Sequence, residues 1–225
     1  MGAMSEVPQD FARALSRHSP AIAEAVSKVA AARDGRDYAL AAYRGGDRSC
    51  FGGEREIEDH YRAVAAEARE RGRGALDALL SEMRTAVDCG LRIDTAKAAE
   101  VRAALPLVRD DASLVRFVSE LERRDDYTAV AAVARCCDGE LLPSARRIGK
   151  ALDGYEKSLS EVVRKAEKFV SKALDGDGAC GENWGGWLQD NVKASESAYE
   201  ALRAAVSGEP EETGGDAVFA ALMAR

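Results

Sequence analysis

The sequence predicts an all-α protein: an elongated bundle of long antiparallel helices, with a small helical insert and a tethered C-terminal helix. Two observations carry this expectation. First, Ile57, Tyr61, Val64, Ala68, Gly72, Ala75, Leu79, Met83 and Ala86 recur at intervals of four and three. Ile148, Leu152, Tyr155, Leu159, Val162, Ala166, Phe169 and Ala173 do the same, which is the spacing of one face of an α-helix. Neither stretch contains proline, and glycine or proline bounds each, so each should run unbroken for ~45–55 Å at about 1.5 Å per residue. Second, alanine and charged residues dominate, aromatics are few and β-branched runs are scarce, a balance that favours helix throughout.

Along the chain, residues 1–44 read as N-terminal short helices. Phe11, Leu15, His18, Ile22, Val26 and Val29 share a stripe that Ser19 and Pro20 interrupt, predicting two short helices or one kinked helix, with Ser19 capping the second. Residues 34–44 make a further short helix carrying Tyr38, Leu40 and Tyr43, and glycine-rich 45–53 is a loop. Residues 54–89 plus 144–206 form the long-helix bundle. Its first rod repeats its apolar positions nearer every eleven residues and its second every seven, so adaptable bundle contacts are expected rather than one regular coiled coil. Residues 91–140 form the small helical insert. Asp94 or Thr95 caps a helix through Leu105, Asp111 or Ser113 one through Leu121, and Asp126 one through Cys137. Residues 175–186 are a second glycine-rich loop, followed by a helix with Leu188, Val192, Ser195, Tyr199, Leu202 and Val206 in register. Residues 207–225 combine a linker with a C-terminal amphipathic peptide.

At 225 residues the chain is long enough for a substantial core. Its net charge of −7 argues against nucleic acid or an anionic membrane as partner of the whole surface. The opening MGAMSEVPQD lacks the basic start and apolar run of a signal peptide, and no segment reaches the ~20 apolar residues of a membrane span. A soluble, cytoplasmic protein with Met4 as a natural start is therefore expected. Glu6 stands where a myristoylation signal at Gly2 requires Ser or Thr. Cys50, Cys89, Cys136, Cys137 and Cys180 are odd in number and spread out, so no disulfide framework is expected. The vicinal Cys136 and Cys137 are better read as small hydrophobes than as a redox or metal pair, because neighbours on a helix diverge by about 100°.

Chemistry has few footholds in this sequence. The histidines are His18 and His60, and Ile57 three residues before His60 removes the Glu-x-x-His pattern of a di-iron bundle. Glu56 and His60, one turn apart, read as a solvated ion pair, and His18 as a hydrogen-bonded histidine at the core boundary. Loop 175–186 offers Asp175 and Asp177 at calcium-loop positions, but Ala179, Cys180 and Gly186 break the pattern. Neither glycine-rich loop ends in Gly-Lys-Ser or Gly-Lys-Thr, and no nucleophile elbow occurs. No catalytic, cofactor-binding or metal residue is assigned, and a protein that is not an enzyme is expected.

Three surfaces stand as interaction candidates. On the second rod Arg146, Arg147, Lys150, Lys157, Arg164, Lys165, Lys168 and Lys172 outnumber Asp153, Glu156, Glu161 and Glu167 by eight to four. Lys150, Lys157, Arg164 and Lys168 are the candidates for an anionic partner, against docking on the bundle's own acidic helices. Trp184 and Trp187 are set in a loop where glycines let rings approach a partner, and tryptophan is enriched at binding hot spots; sealing the end of the bundle is the competing role. Val218, Phe219, Leu222 and Met223 share one face of an apolar segment on a polar tether, the helix-in-groove mode of recognition. Docking on its own bundle or on a second copy competes with that reading.

The run GLRIDTAKAAEVRAALPLVRDDASLVRFVSELERRDDY at 90–127, with Leu91, Ile93, Val101, Leu105, Leu114, Val118 and Leu121 as its apolar placeholders, resembles a segment of helical accessory proteins. Those proteins are encoded among the structural genes of phages of Gram-positive bacteria. The resemblance implies a phage or prophage protein of the host cytoplasm or virion, with an assembly or accessory role and no catalytic residues to transfer. The resulting expectation is a non-catalytic helical protein that binds a protein partner or itself. The alternatives are an acidic inhibitor or regulator of a nucleic-acid enzyme, acting as a phosphate mimic, and an enzyme of unrecognised type. Nucleic-acid binding by the insert is disfavoured, since its acids outnumber its bases ten to eight.

Overall fold

The computed structural model describes residues 4–92, 95–104, 108, 110–124, 126–136, 143–176 and 183–208, apart from the side chains of Lys97 and Tyr127. These residues form an all-α bundle with no strand among them. A 3-10 turn at Met4–Glu6 leads into α1 (Val7–Arg44). Then follow α2 (Glu54–Leu91), α3 (Thr95–Ala104), α4 (Asp111–Arg123), α5 (Tyr127–Cys136), α6 (Pro143–Leu174) and α7 (Trp184–Ser207). No helix among the described residues is long and apolar enough to cross a membrane. The chain divides into two compact units. One gathers the described residues among 9–86 and 161–192, the other those among 1–8, 87–160 and 193–225.

In the 9–86 and 161–192 unit, successive helices run antiparallel, as their contacts record. His18 meets Glu82 and Arg44 meets Glu54 between α1 and α2, Arg84 meets Glu167 between α2 and α6, and Lys165 meets Asn191 between α6 and α7. Phe11, Ile22, Ile57, Leu79, Met83, Leu174 and Leu188 are fully buried. Of the two readings for the stretch around Pro20, the single helix holds and the pair of short helices does not: α1 is one helix of 38 residues that passes through Pro20, and 34–44 is its last part rather than a further short helix. Phe11, Ala14, Leu15, Ile22, Ala25, Val26, Val29 and Ala32 are buried along one unbroken stripe, while Pro20 lies on the exposed side. There water can satisfy the carbonyl that proline leaves without a donor. Burial of roughly 1.5–3 kcal/mol per large apolar side chain outweighs a proline penalty of ~3 kcal/mol.

Close helix approach in this unit depends on glycine. A Cβ at Gly72 of α2 would lie 2.9 Å from the Ala25 Cβ of α1 and collide with the Leu174 side chain of α6. A Cβ at Gly35 of α1 would lie 2.7 Å from the Tyr61 ring. Arg69 Nε donates to the Leu174 carbonyl at 3.0 Å, which satisfies one of the carbonyls that the end of α6 leaves without a helical partner.

In the other unit, α3 and α4 pack against α5. The core includes Val101, Leu114, Val118, Val133, Ile148, Leu152, Tyr155, Leu159 and Leu202. The Tyr155 hydroxyl donates to the Met4 carbonyl at 2.8 Å, and Gly90 leaves room for the Val7 side chain, so the start of the chain is held on α6 and the end of α2. Burial pushes the Tyr155 phenol above its ordinary range and keeps it protonated as a donor. The cap of α4 is Asp110, whose carboxylate accepts from Ser113 N–H at 2.8 Å, not Asp111 or Ser113. Asp111 instead accepts from the N–H and hydroxyl of Ser144 at 2.9 and 2.7 Å, in the first turn of α6. Asp126 caps α5 through Ala129 N–H at 3.1 Å, as the sequence predicts. Arg147 Nε reaches the Ala205 carbonyl at the end of α7 at 3.3 Å.

Two glycines on one helix separate packing from propensity. Nothing lies within 4 Å of a Cβ at Gly74, so Gly74→Ala should stabilise by ~1 kcal/mol, the propensity difference alone. Gly72→Ala gains the same propensity but overpacks a fixed contact at a cost of about 1–3 kcal/mol, so it should be neutral or destabilising. Urea unfolding should place the Gly74→Ala midpoint above that of the parent chain and the Gly72→Ala midpoint at or below it.

Candidate functional site

The same unit carries an open groove of about 700 Å³. α1 contributes residues 23–36 and α2 residues 58–69, whereas α6 contributes only its penultimate residue and the two that follow the helix, and α7 only Trp184. The groove therefore lies where α6 and α7 stop and the α1–α2 pair continues. Its floor is small and apolar, formed by Val26, Val29, Ala30, Ala32, Ala65 and Ala173. Tyr61 and Trp184 supply aromatic walls. An apolar floor of small side chains lets a helix or extended segment approach closely.

Charged residues of both signs line the groove: Arg33, Arg36, Arg62 and Arg69 with Asp34, Glu58 and Asp175. The arginines differ in how fully they are engaged. Arg36 grips Asp37 through two nitrogens at 3.0 and 2.7 Å, and Arg62 holds Asp59 at 3.0 Å. Arg69 is spent on the end of α6. Arg33 makes only two long contacts, each 3.4 Å, to Asp34 and to the Gly176 carbonyl, and its half-exposed side chain is the groove's most available cation. A planar guanidinium suits a carboxylate, so the groove combines an apolar floor with a rim that carries a cation. The described lining residues include no histidine or cysteine.

The sequence-predicted residues fall in different places. Trp184 is 6% exposed and lines the groove. Trp187 stacks on Phe169 with ring centroids 3.9 Å apart, and the Lys165 ammonium lies 5.2 Å from its ring. Both tryptophans occupy the first turn of α7, which corrects their placement in a loop. Packing against α6 and the i,i+3 spacing of the rings prevail over the loop preference of the neighbouring glycines. Lys150, Lys157, Arg164 and Lys168 are exposed on α6. At 100° per residue they fall within about 40° of arc. Arg164 is paired to Glu161 at 2.6 Å. The Lys150, Lys157 and Lys168 ammoniums have no ion pair among the described residues. Val218, Phe219, Leu222 and Met223 lie outside the described residues, as do Cys137, Cys180 and residues 177–182 of the glycine-rich loop.

Both histidines are engaged by neighbours. His18 shares a 3.0 Å hydrogen bond with Glu82. The Glu56 carboxylate accepts from Gly52 N–H at 2.7 Å rather than pairing with His60, because the chain folds back there. The His60 ring instead stands edge-on to Tyr61 at 5.0 Å. No group of three or more His, Cys, Asp or Glu among the described residues is placed to hold a metal ion. Sequence reasoning missed Tyr61, Arg33 and Ala30 as groove residues; the one available signal is Gly35, which marks where α1 and α2 come close. Comparison with known proteins found no matching family model and no similar curated protein or solved structure.

On α6, the Arg164 guanidinium, helped by Lys165, holds the Glu161 carboxyl down at about 2. The folded state favours the charged form, so any stabilisation is complete above about 4.5 and is lost as pH falls through about 2. A carboxyl NMR titration should place the Glu161 midpoint near 2, and Arg164→Gln should move it up towards the ordinary 4.5.

Proposed function

We propose that this chain is a non-catalytic helical binding or assembly protein, of the accessory kind carried in phage structural gene cassettes, and that its groove between α1 and α2 receives a helical segment of a protein partner. The observation that carries the proposal is the groove itself: a 700 Å³ space with an apolar small-residue floor, where two helices extend past the ends of the other two. A third helix laid there would continue the bundle's packing. The opposite charges along the described helices interleave as ion pairs, which favours an ordinary solvated surface over a phosphate-mimicking face.

Ala30 is exposed and lines the groove, so a photo-cross-linking residue there should yield a covalent protein adduct. The same residue at exposed Glu70, which is outside the groove lining, should yield none. Adding Ala23→Trp, which fills the groove from its exposed edge, should cut the adduct about tenfold, equivalent to ~1.4 kcal/mol, with unchanged circular dichroism. Equal adducts at both positions, or none at either, would overturn the proposal.

A further inference from the structure

Resting on that reading of the groove, we infer that its occupant is residues 217–225 of a second copy of this chain, so that the protein assembles with itself. The chemistry of the segment answers the groove feature by feature. AVFAALMAR supplies Val218, Phe219, Leu222 and Met223 at helical spacing for the floor of Val26, Val29, Ala30 and Ala65. The small Ala220 and Ala221 allow close backbone approach. The residues just before it, Glu209, Glu211, Glu212 and Asp216, bring four carboxylates to a rim where Arg33 is held only by long contacts.

Every copy carries both this segment and the groove, so a segment donated to the next copy repeats the same contact head to tail.

The test uses the full chain with the photo-cross-linker at position 30, mixed with excess unmodified chain labelled with ¹⁵N. Trypsin releases residues 204–225 as a single peptide, so mass spectrometry reads both the occupant and its origin. The expected result is adduct to the heavy 204–225 peptide, with at least tenfold less when the labelled copy carries Phe219→Asp and Leu222→Asp. Circular dichroism of that variant reports that its helices are intact. Light peptide alone, meaning capture within one chain, overturns the inference, as does adduct to any other part of the chain. Adduct only to a different protein in a mixture overturns the self-assembly inference and leaves the groove reading standing. No adduct from position 30 under any condition removes both.

Discussion

Three helices meet at Gly72, and the architecture of residues 9–86 and 161–192 depends on how closely they do so. Only hydrogen at that Cα lets Ala25 of α1 and Leu174 of α6 close on α2 from two sides. That approach brings Arg69 within reach of the Leu174 carbonyl and Arg73 within 3.4 Å of Asp175, so the end of α6 is terminated by side chains of its neighbour. The groove begins where α6 stops. A bulkier residue at Gly72 would therefore separate the helices and also shift the point at which the bundle changes from four helices to two.

The long helices were legible because burial repeats with the helical period. Ile57, Leu79 and Met83 in α2, and Ile148, Leu152, Tyr155 and Leu159 in α6, are buried in the positions their spacing assigns. Asp126 was legible as a cap because its target lies three residues away. Pro20 misled, because a local rule about a missing donor says nothing of the large buried stripe on the opposite side of α1. Asp111 misled for the complementary reason: its partner, Ser144, lies 33 residues on, beyond any local signal.

The groove was hardly legible at all. Alanines 30, 65 and 173 are individually unremarkable, and their significance comes from where α6 and α7 end relative to α1 and α2. The tryptophans, by contrast, stand out in a chain with only two. Yet their neighbouring glycines suggested a loop, while stacking of Trp187 on Phe169 and burial of Trp184 hold them on a helix. Composition identifies residues able to form contacts; packing decides which of those contacts are used internally.

Asp111 has a consequence for how the chain opens. It is the first residue of α4, yet its carboxylate satisfies the N–H and hydroxyl of Ser144 near the start of α6, groups that the helix itself leaves without partners. Local melting of α4 withdraws that acceptor and frays the neighbouring helix as well. α4 is therefore not an appendage that can loosen without cost to the first turn of the helix beside it.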